Sequence, residues 1–247
     1  MFFSLPFEYN EYKEGEDMKK AMKIFLISLS VFIIGLGSMG YIEYRLAIQE
    51  VSIDEKISEI MREPDFVHYD DISPILLEAT VAVEDKRFYD HHGIDVMAYA
   101  RIFYYLIKDG SINSGGSTIT QQLAKNLYFS FEPSLTRKVA ELFVANKIEK
   151  TYDKETILSV YLNIINYGDN QFGIAKASEH YFEKKPSELS FDEATLLAGI
   201  PQSPTHYQLS NHLDSARLRQ KAVLANLEEN NVYSKEVFAQ FLTEIPQ

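Results

Sequence analysis

The stretch from Ser73 to Gly93 carries the residue types that acid–base chemistry needs. An acidic pair, Glu84-Asp85, follows an apolar run, and basic, aromatic and imidazole side chains come within the next two helical turns. Ser73-Pro74 is typical of a helix start and Gly93 of a helix stop, so the sequence predicts one helix here. On that helix Glu84 shares a mostly apolar face, where removal from water would raise its pKa. Glu84 is therefore a candidate general base.

A second stretch, from Gly115 to Asn126, is suited to binding an anion. Two glycines lead into Thr118-x-x-Gln121, which has the form of a capping box at a helix start. Free backbone N–H groups at such a start attract anions, and Lys125 lies four residues after Gln121 on the same face. The Gly-Lys-Ser/Thr order of a nucleotide P-loop is missing. The pattern predicts an anion site, with a plain capped surface helix as the alternative.

A third stretch opens the next helix with Arg137, Lys138 and Glu141. Their spacing of three and four residues places the carboxylate near both cations. Glu141 also shares a face with Ala145 and Ile148, at the edge of an apolar stripe. A carboxylate flanked by two cations suits a site at which phosphate charge departs.

Both carboxylates also have a purely structural interpretation. Glu84 and Asp85 could form a solvated helix end that pairs with the following Lys86 and Arg87, and structural ion pairs also perturb carboxylates. Glu141 could belong to an ordinary surface ion pair, which contributes little to stability. Neither stretch decides the question by itself.

The composition of the chain limits the kind of fold that can position these residues. A chain of 247 residues with 46% hydrophobic content is long enough for one globular domain with a sizeable core. The absence of cysteine excludes disulfides and thiol chemistry, and the net charge of −12 argues against general nucleic-acid binding. Helical spacing of apolar residues dominates and no segment alternates, so we expect a mainly α fold. One apolar helix, over residues 94–107, is expected to lie in the core or against a membrane.

An uncharged, largely apolar run at residues 24–42 is long enough to cross ~30 Å of hydrocarbon. Lys19, Lys20 and Lys23 precede it, which places the N-terminus in the cytoplasm and the remainder outside. A cleaved signal peptide is the alternative, but the run is longer than usual and no small-x-small cleavage site follows. The predicted organisation is a cytoplasmic tail at 1–23, a transmembrane helix at 24–42, a juxtamembrane stalk at 43–63 and a domain at 64–247.

Four motifs together resemble the peptidoglycan glycosyltransferase domain (glycosyltransferase family 51) of class A penicillin-binding proteins and monofunctional transglycosylases. The family pattern E-D-x-x-F-x-x-H-x-G begins at Glu84, G-x-S-T-x-T-Q-Q-x-x-K-N at Gly115, R-K-x-x-E at Arg137 and I-L-x-x-Y-L-N at Ile157. The resemblance runs from about residue 64 to residue 207. Glu183 replaces the glycine that usually follows Tyr-Phe in this family, and Leu209 replaces a proline expected soon after Tyr207. Both departures lie away from the two carboxylates.

The resemblance implies a lysozyme-like, mainly α glycosyltransferase domain behind one N-terminal transmembrane helix. It implies polymerisation of lipid II into β-1,4-linked glycan strands at the outer membrane face, by inversion, with release of undecaprenyl pyrophosphate. No Ser-x-x-Lys or Lys-Thr-Gly motif is found, so the chain looks like the monofunctional type or a fragment ending after the first domain. The alternative is a membrane-anchored lysozyme-like or lytic glycosidase, because paired carboxylates also cleave glycosides.

The resemblance also implies roles for individual residues. Glu84 is the base and Glu141 the second catalytic carboxylate, while the substrate-binding set is Lys125, Arg137, Lys138, Ser117, Thr118, Gln121, Asn126 and Arg87. Residues that support the site are Asp85, Phe88, His91 and Gly93, with Arg87 also able to orient the base helix. Glu141 is a candidate ligand for a divalent cation, Mg or Mn, that bridges the pyrophosphate. No organic cofactor is expected. The expected partners are the growing glycan strand, membrane lipid and transpeptidases of the cell-wall machinery, without nucleic acid.

Overall fold

The computed structural model describes residues 7–110, 115–130, 132–243 and 245, and for residues 7–15 it describes the backbone alone. These residues form helices and no strand, apart from an isolated bridge between Asn166 and Phe172. The α-helices are α1 (Phe7–Glu50), α2 (Ile53–Met61), α3 (Pro74–Glu84), α4 (Val96–Asp109), α5 (Ile119–Tyr128), α6 (Leu135–Thr151), α7 (Lys154–Ile164), α8 (Ile174–Phe182), α9 (Phe191–Gly199), α10 (Pro204–Tyr207), α11 (Leu209–Glu229) and α12 (Lys235–Leu242). The predicted mainly α fold is confirmed.

Helix α1 contains the apolar run that the sequence predicts to cross a membrane. Within the described residues it is the helix long and apolar enough to do so, over Glu16–Glu50. The helix begins at Phe7 and ends at Glu50, so it continues beyond both ends of the predicted transmembrane run at residues 24–42. Most of the predicted tail and the start of the predicted stalk are therefore helical, while residues 1–6 lie outside the described part of the chain.

The C-terminal part of α1 packs directly on α6. Gly40 is buried at this contact, and a Cβ atom at that position would lie 2.5 Å from the Cβ of Val139. Nearby, the ring of Phe143 meets the rings of Tyr41 and Tyr44 at centroid distances of 5.3 and 5.7 Å. A small residue lets two helix backbones approach closely. The apolar N-terminal helix is thus fitted against the helix that carries Glu141.

The core forms where α3, α5, α7, α9 and α11 pack together, with Ile53 and Ile57 of α2 completing one side. Helix α7 is buried over much of its length, and Tyr161 is among the largest fully buried side chains. Asp153 caps α7 by accepting a hydrogen bond from Thr156 N at 2.8 Å. Short polar caps at buried helix ends satisfy N–H groups that would otherwise lack partners. The core therefore holds α3 and α5 in fixed positions beside each other.

Helix α3 ends at Glu84, so the predicted helix across the whole stretch to Gly93 is wrong. Asp85 leaves the helical conformation, with φ −158° and ψ 72°, because its carboxylate binds groups that follow in the chain. Residues 85–90 then form tight turns, with Phe88 N bonded to Asp85 O at 2.8 Å. Gly93 has a φ of +84°, a value that favours glycine. The consequence is that Glu84 stands at the end of a helix rather than in its middle.

Helix α4 is exposed over most of its surface. Asp95 caps its start and Gly110, with φ +66°, ends it in the left-handed conformation. Ala98 is its buried residue, whereas Val96 and Ile107 are each 70% exposed. The interpretation of this apolar helix as part of the core is therefore wrong. The alternative, a helix that faces a membrane, stays a prediction.

Candidate active site

Glu84, the last residue of α3, lies against α5 and α11, and its side chain is 11% exposed. Its Oε2 accepts a hydrogen bond from Gln122 Nε2 of α5 at 2.7 Å. Its Oε1 has no hydrogen-bond partner among the described residues, and Nη2 of Arg219 lies 3.8 Å from it. Burial raises the pKa of Glu84; Gln122, Arg219 and Lys125 oppose this rise and Asp85 adds to it. A carboxylate with a raised pKa and one free oxygen is suited to accept a proton.

Gln122 is held in place by a buried tyrosine. The hydroxyl of Tyr161 on α7 donates a hydrogen bond to Gln122 Oε1 at 3.0 Å. Tyr161 is fully buried, and its burial keeps its pKa well above the ordinary value, so the hydroxyl stays protonated. This contact leaves the amide Nε2 of Gln122 to donate to Glu84. A chain of two hydrogen bonds therefore fixes Oε2 of the candidate base.

Glu141 lies on α6 and is 1% exposed. Its Oε1 accepts a hydrogen bond from Arg137 Nη1 at 2.5 Å, and its Oε2 accepts one from Lys138 Nζ at 2.8 Å. Lys138 Nζ also donates to Ser117 Oγ, just before α5, at 2.6 Å. Arg137 Nε is buried without a hydrogen-bond partner among the described residues. Arg137, Lys138 and Glu141, here called the cation cluster, thus surround a buried carboxylate, while the side chains of Arg137 and Lys138 are 14% and 38% exposed. The arrangement differs from the ordinary surface ion pair that the sequence left as an alternative.

Lys125 connects the two carboxylate regions. It is half-buried on α5, and burial lowers its pKa. Both Glu141 and Glu84 act on its charge and raise its pKa, while Arg137 and Lys138 lower it. The ammonium group is therefore within electrostatic reach of both carboxylates. The structure thus brings Glu84, Lys125 and the cation cluster into one region, and their roles stay a prediction.

Asp85 and His91 hold the loop that follows α3. His91 Nε2 lies 2.9 Å from both carboxylate oxygens of Asp85, and His91 Nδ1 accepts a hydrogen bond from Gly93 N at 3.2 Å. Because Nδ1 accepts, the ring proton is on Nε2 and points to the carboxylate. Asp85 Oδ2 also accepts from Ile119 N, the first residue of α5, at 3.0 Å. The end of α3 and the start of α5 are thus joined through the buried carboxylate of Asp85.

Thr118 and Gln121 tie the start of α5 to the same loop. Thr118 Oγ1 accepts from Gln121 N at 3.1 Å, which is the predicted cap, and donates to Gly93 O at 2.8 Å. Gln121 Nε2 donates to the same carbonyl at 3.0 Å, so the reciprocal half of the predicted capping box is absent. Both side chains are buried, and they hold the loop instead of facing a ligand. The N–H groups of Ile119 and Gln121 are already bonded, which leaves fewer donors for the predicted anion site.

Three other residues of the predicted site have structural contacts close by. Arg87 makes two contacts with the carboxylate of Asp95, which caps α4, including Nε to Oδ2 at 3.0 Å. Asn126 Nδ2 donates to the carbonyl of Gln122 at 2.8 Å, within the same helix. Phe88 is fully buried in the core. Arg87 in this arrangement braces the loop and α4.

Sequence reasoning missed three residues that contact Glu84 or orient its partner: Gln122, Tyr161 and Arg219. Gln122 and Tyr161 stand in the quoted motifs but received no role. The signal for Gln122 was its position three residues before Lys125, on the same helical face. Arg219 lies on α11, far along the chain, and nothing local in the sequence connects it with Glu84.

The donor set at Glu141 fits a divalent cation poorly. Both carboxylate oxygens already bind cationic side chains, Arg137 and Lys138, which would repel a metal ion. Across the described residues, no group of three or more His, Cys, Asp or Glu side chains is arranged to hold a metal. A metal at this carboxylate would need to displace at least one of the two cations.

Comparison with known proteins identifies the family. Residues 53–228 match the family model described as Transglycosylase. A monofunctional glycosyltransferase from Staphylococcus haemolyticus is 32% identical over 252 residues, which cover 96% of this chain and 91% of that protein. The chain belongs to the transglycosylase family, and the resemblance stated from its four motifs is confirmed.

Longer proteins share the same domain. Penicillin-binding protein 1A from Neisseria flavescens is 39% identical over 211 residues, 85% of this chain and 26% of that protein. The chain thus spans about a quarter of the length of these relatives. A crystal structure of penicillin-binding protein 1A from Haemophilus influenzae aligns with a TM-score of 0.43 and 20% identity, over 74% of this chain and 18% of the other. That alignment is too distant to bear on the fold.

Proposed function

We propose that this protein polymerises lipid II into β-1,4-linked glycan strands and releases undecaprenyl pyrophosphate. The observation that carries the proposal is the pairing of a buried base with a cation cluster. Glu84 has one oxygen without a hydrogen-bond partner among the described residues, and Lys125 lies within electrostatic reach of both Glu84 and the Arg137–Glu141 cluster. The family membership and the name of the staphylococcal relative support a glycosyltransferase.

The base activates the acceptor. The 4-hydroxyl of the acceptor sugar gives its proton to Glu84 as its oxygen attacks the anomeric carbon of the donor. Burial favours this step, because a carboxylate with a raised pKa holds the proton more readily than one in water. Attack from the side opposite the leaving group inverts the anomeric configuration.

The cation cluster receives the leaving group. As the anomeric C–O bond breaks, its electron pair goes to the pyrophosphate, whose charge Lys125, Arg137 and Lys138 stabilise. Arg137 Nε is a buried donor without a hydrogen-bond partner among the described residues, which suits an incoming oxygen. Glu141 keeps Arg137 and Lys138 in fixed positions. No step is assigned to a divalent cation, because both oxygens of Glu141 already bind Arg137 and Lys138.

The membrane places the enzyme beside a lipid-linked substrate. Helix α1 is long and apolar enough to span a bilayer, and the lysines before the apolar run orient the N-terminus to the cytoplasm and the site outward. The exposed apolar surface of α4 is consistent with contact with lipid. Transpeptidases that cross-link the product strands are the partners that this activity requires in a cell wall.

A hydrolase is the second candidate, because paired carboxylates also cleave glycosides. A hydrolase that acts on finished glycan has no pyrophosphate to receive, so the cation cluster argues against it. Incubating the purified full chain in detergent with labelled lipid II, and separately with finished peptidoglycan, distinguishes the two. We expect glycan polymer from lipid II and no cleavage of peptidoglycan. Cleavage without polymer would overturn the proposal.

A further inference from the structure

Arg219 reaches Glu84 across the end of α9. Its side chain is 16% exposed, and its Nε donates to Gly199 O at 3.4 Å. Its Cγ lies 3.0 Å from the place where a Cβ of residue 199 would stand. Glycine at this position therefore leaves room for the arginine stem to pass the backbone of α9.

Two neighbouring side chains hold α11 in register with α9. Arg217 binds the carboxylate of Asp192 through two nitrogens, one of them Nη2 to Oδ2 at 2.9 Å. Gln220 Nε2 donates to the buried Thr195 Oγ1 at 2.8 Å. Because these bonds flank position 219 along the helix, the direction in which Arg219 extends is fixed by the fold.

The two oxygens of Glu84 have different surroundings. Oε2 is bonded to Gln122, whereas Oε1 lies 3.8 Å from Arg219 Nη2. That distance is too long for a hydrogen bond and short enough for strong attraction between opposite charges. The guanidinium thus favours the ionised form of Glu84 without occupying the lone pairs of Oε1.

We propose that Arg219 is a positioning residue that keeps Glu84 ionised, so that its carboxylate can take the proton of the attacking hydroxyl. The O–H bond of the acceptor breaks, the proton moves to the carboxylate of Glu84, and the acceptor oxygen forms the new bond to the anomeric carbon. The bond between that carbon and the pyrophosphate breaks with its electron pair, and Glu84 later returns its proton to solvent. This inference rests on the proposed function for its chemical step.

The sign of the effect follows from the charges that face Glu84. Arg219 on α11 and Lys125 on α5 lower the pKa of Glu84, as does the hydrogen bond from Gln122, while burial and the adjacent Asp85 raise it. Removing the guanidinium takes away one of the groups that oppose the rise of this pKa by burial. The pKa of Glu84 then rises, and the base is protonated at a pH where it is ionised in the wild type.

The test is the pH dependence of kcat for polymerisation of labelled lipid II. In Arg219→Gln we expect the acid limb of the profile to move to higher pH by roughly 1–3 units, the shift typical of a charge at this distance. Activity should be partly recovered at alkaline pH, and Arg219→Lys should keep the limb nearer the wild-type position. Lys221→Gln, which removes an exposed cation from the same helix, is the matched control and should not move it. A rate lowered equally at every pH in Arg219→Gln would overturn the proposal.

A double-mutant cycle on thermal unfolding covers the case in which Arg219→Gln folds but is too inactive for a pH profile. If Arg219 compensates the charge of Glu84, its replacement should lower Tm much more in wild type than in the Glu84→Gln background. Equal losses in both backgrounds would contradict the coupling. The cycle needs no substrate, so a protein that fails to polymerise lipid II would refute the proposed function while leaving this coupling measurable.

Discussion

Replacement of Glu84 by glutamine should strongly lower the rate of polymerisation and stabilise the fold at neutral pH. The substitution keeps the size of the side chain and leaves an oxygen that can accept the hydrogen bond from Gln122. It removes a charge that is buried at the end of α3 and whose pKa is raised by that burial. Loss of a general base lowers the rate by roughly 10²–10⁴-fold.

The stability effect has a defined sign. The folded-state pKa of Glu84 lies above its ordinary value of 4.5, so the folded protein binds this proton more tightly than the unfolded chain does. The destabilisation by Glu84 is therefore absent below about pH 4.5 and grows as the pH rises through the raised pKa. Above that pKa, glutamine should stabilise the protein by about 1.4 kcal/mol for each unit of the shift.

Two assays check this prediction. Initial rates with labelled lipid II measure the loss of activity, and thermal unfolding of both proteins between pH 4 and pH 8 measures stability. We expect the Tm of Glu84→Gln to exceed that of wild type at neutral pH, and the difference to shrink towards acid pH. A wild-type rate for Glu84→Gln would refute the reasoning. So would a Tm difference, variant minus wild type, that is smaller at neutral pH than at acid pH.

Further substitutions test the contacts that hold the site. Gly40→Leu should lower polymerisation and Tm, because its Cβ would stand 2.5 Å from a side-chain atom of α6. Gly37→Leu, with no atom within 4 Å of the new Cβ, should behave as wild type. Equal effects of the two substitutions would show that the contact between α1 and α6 is not the cause. Lys125→Ala should weaken binding of lipid II measured by equilibrium titration, and unchanged affinity would remove its phosphate role. Gly93→Ala should lower the free energy of unfolding by about 1–3 kcal/mol in denaturant melts, because its φ is +84°. Gly115→Ala, whose Cβ would have no atom within 4 Å, should leave the free energy of unfolding unchanged.

The part of the site that sequence could predict is the part set within single helices. Arg137, Lys138 and Glu141 lie one turn apart on α6, so their spacing alone indicates that they meet. The same holds for the cap at Thr118 on α5. The helical fold follows from the same periodicity, which persists along most of the chain.

The features of the site that the sequence could not predict depend on tertiary contacts. The turn at Asp85 depends on hydrogen bonds to His91 and to the start of α5, and no local pattern announces that α3 must end there. Gln121 and Gln122 differ by about 100° around the helix, and the packing of α5 determines that Gln122 meets the base. Arg219 approaches Glu84 because α11 packs on α3 and α9, an arrangement that single-sequence periodicity does not contain.

The most direct measurement counts the lipid pyrophosphate released for each glycosidic bond formed from labelled lipid II. We expect one pyrophosphate per bond for the wild-type protein, and both products to form roughly 10²–10⁴-fold more slowly with Glu84→Gln. Release of pyrophosphate without bond formation, or strand synthesis by Glu84→Gln at the wild-type rate, would contradict it.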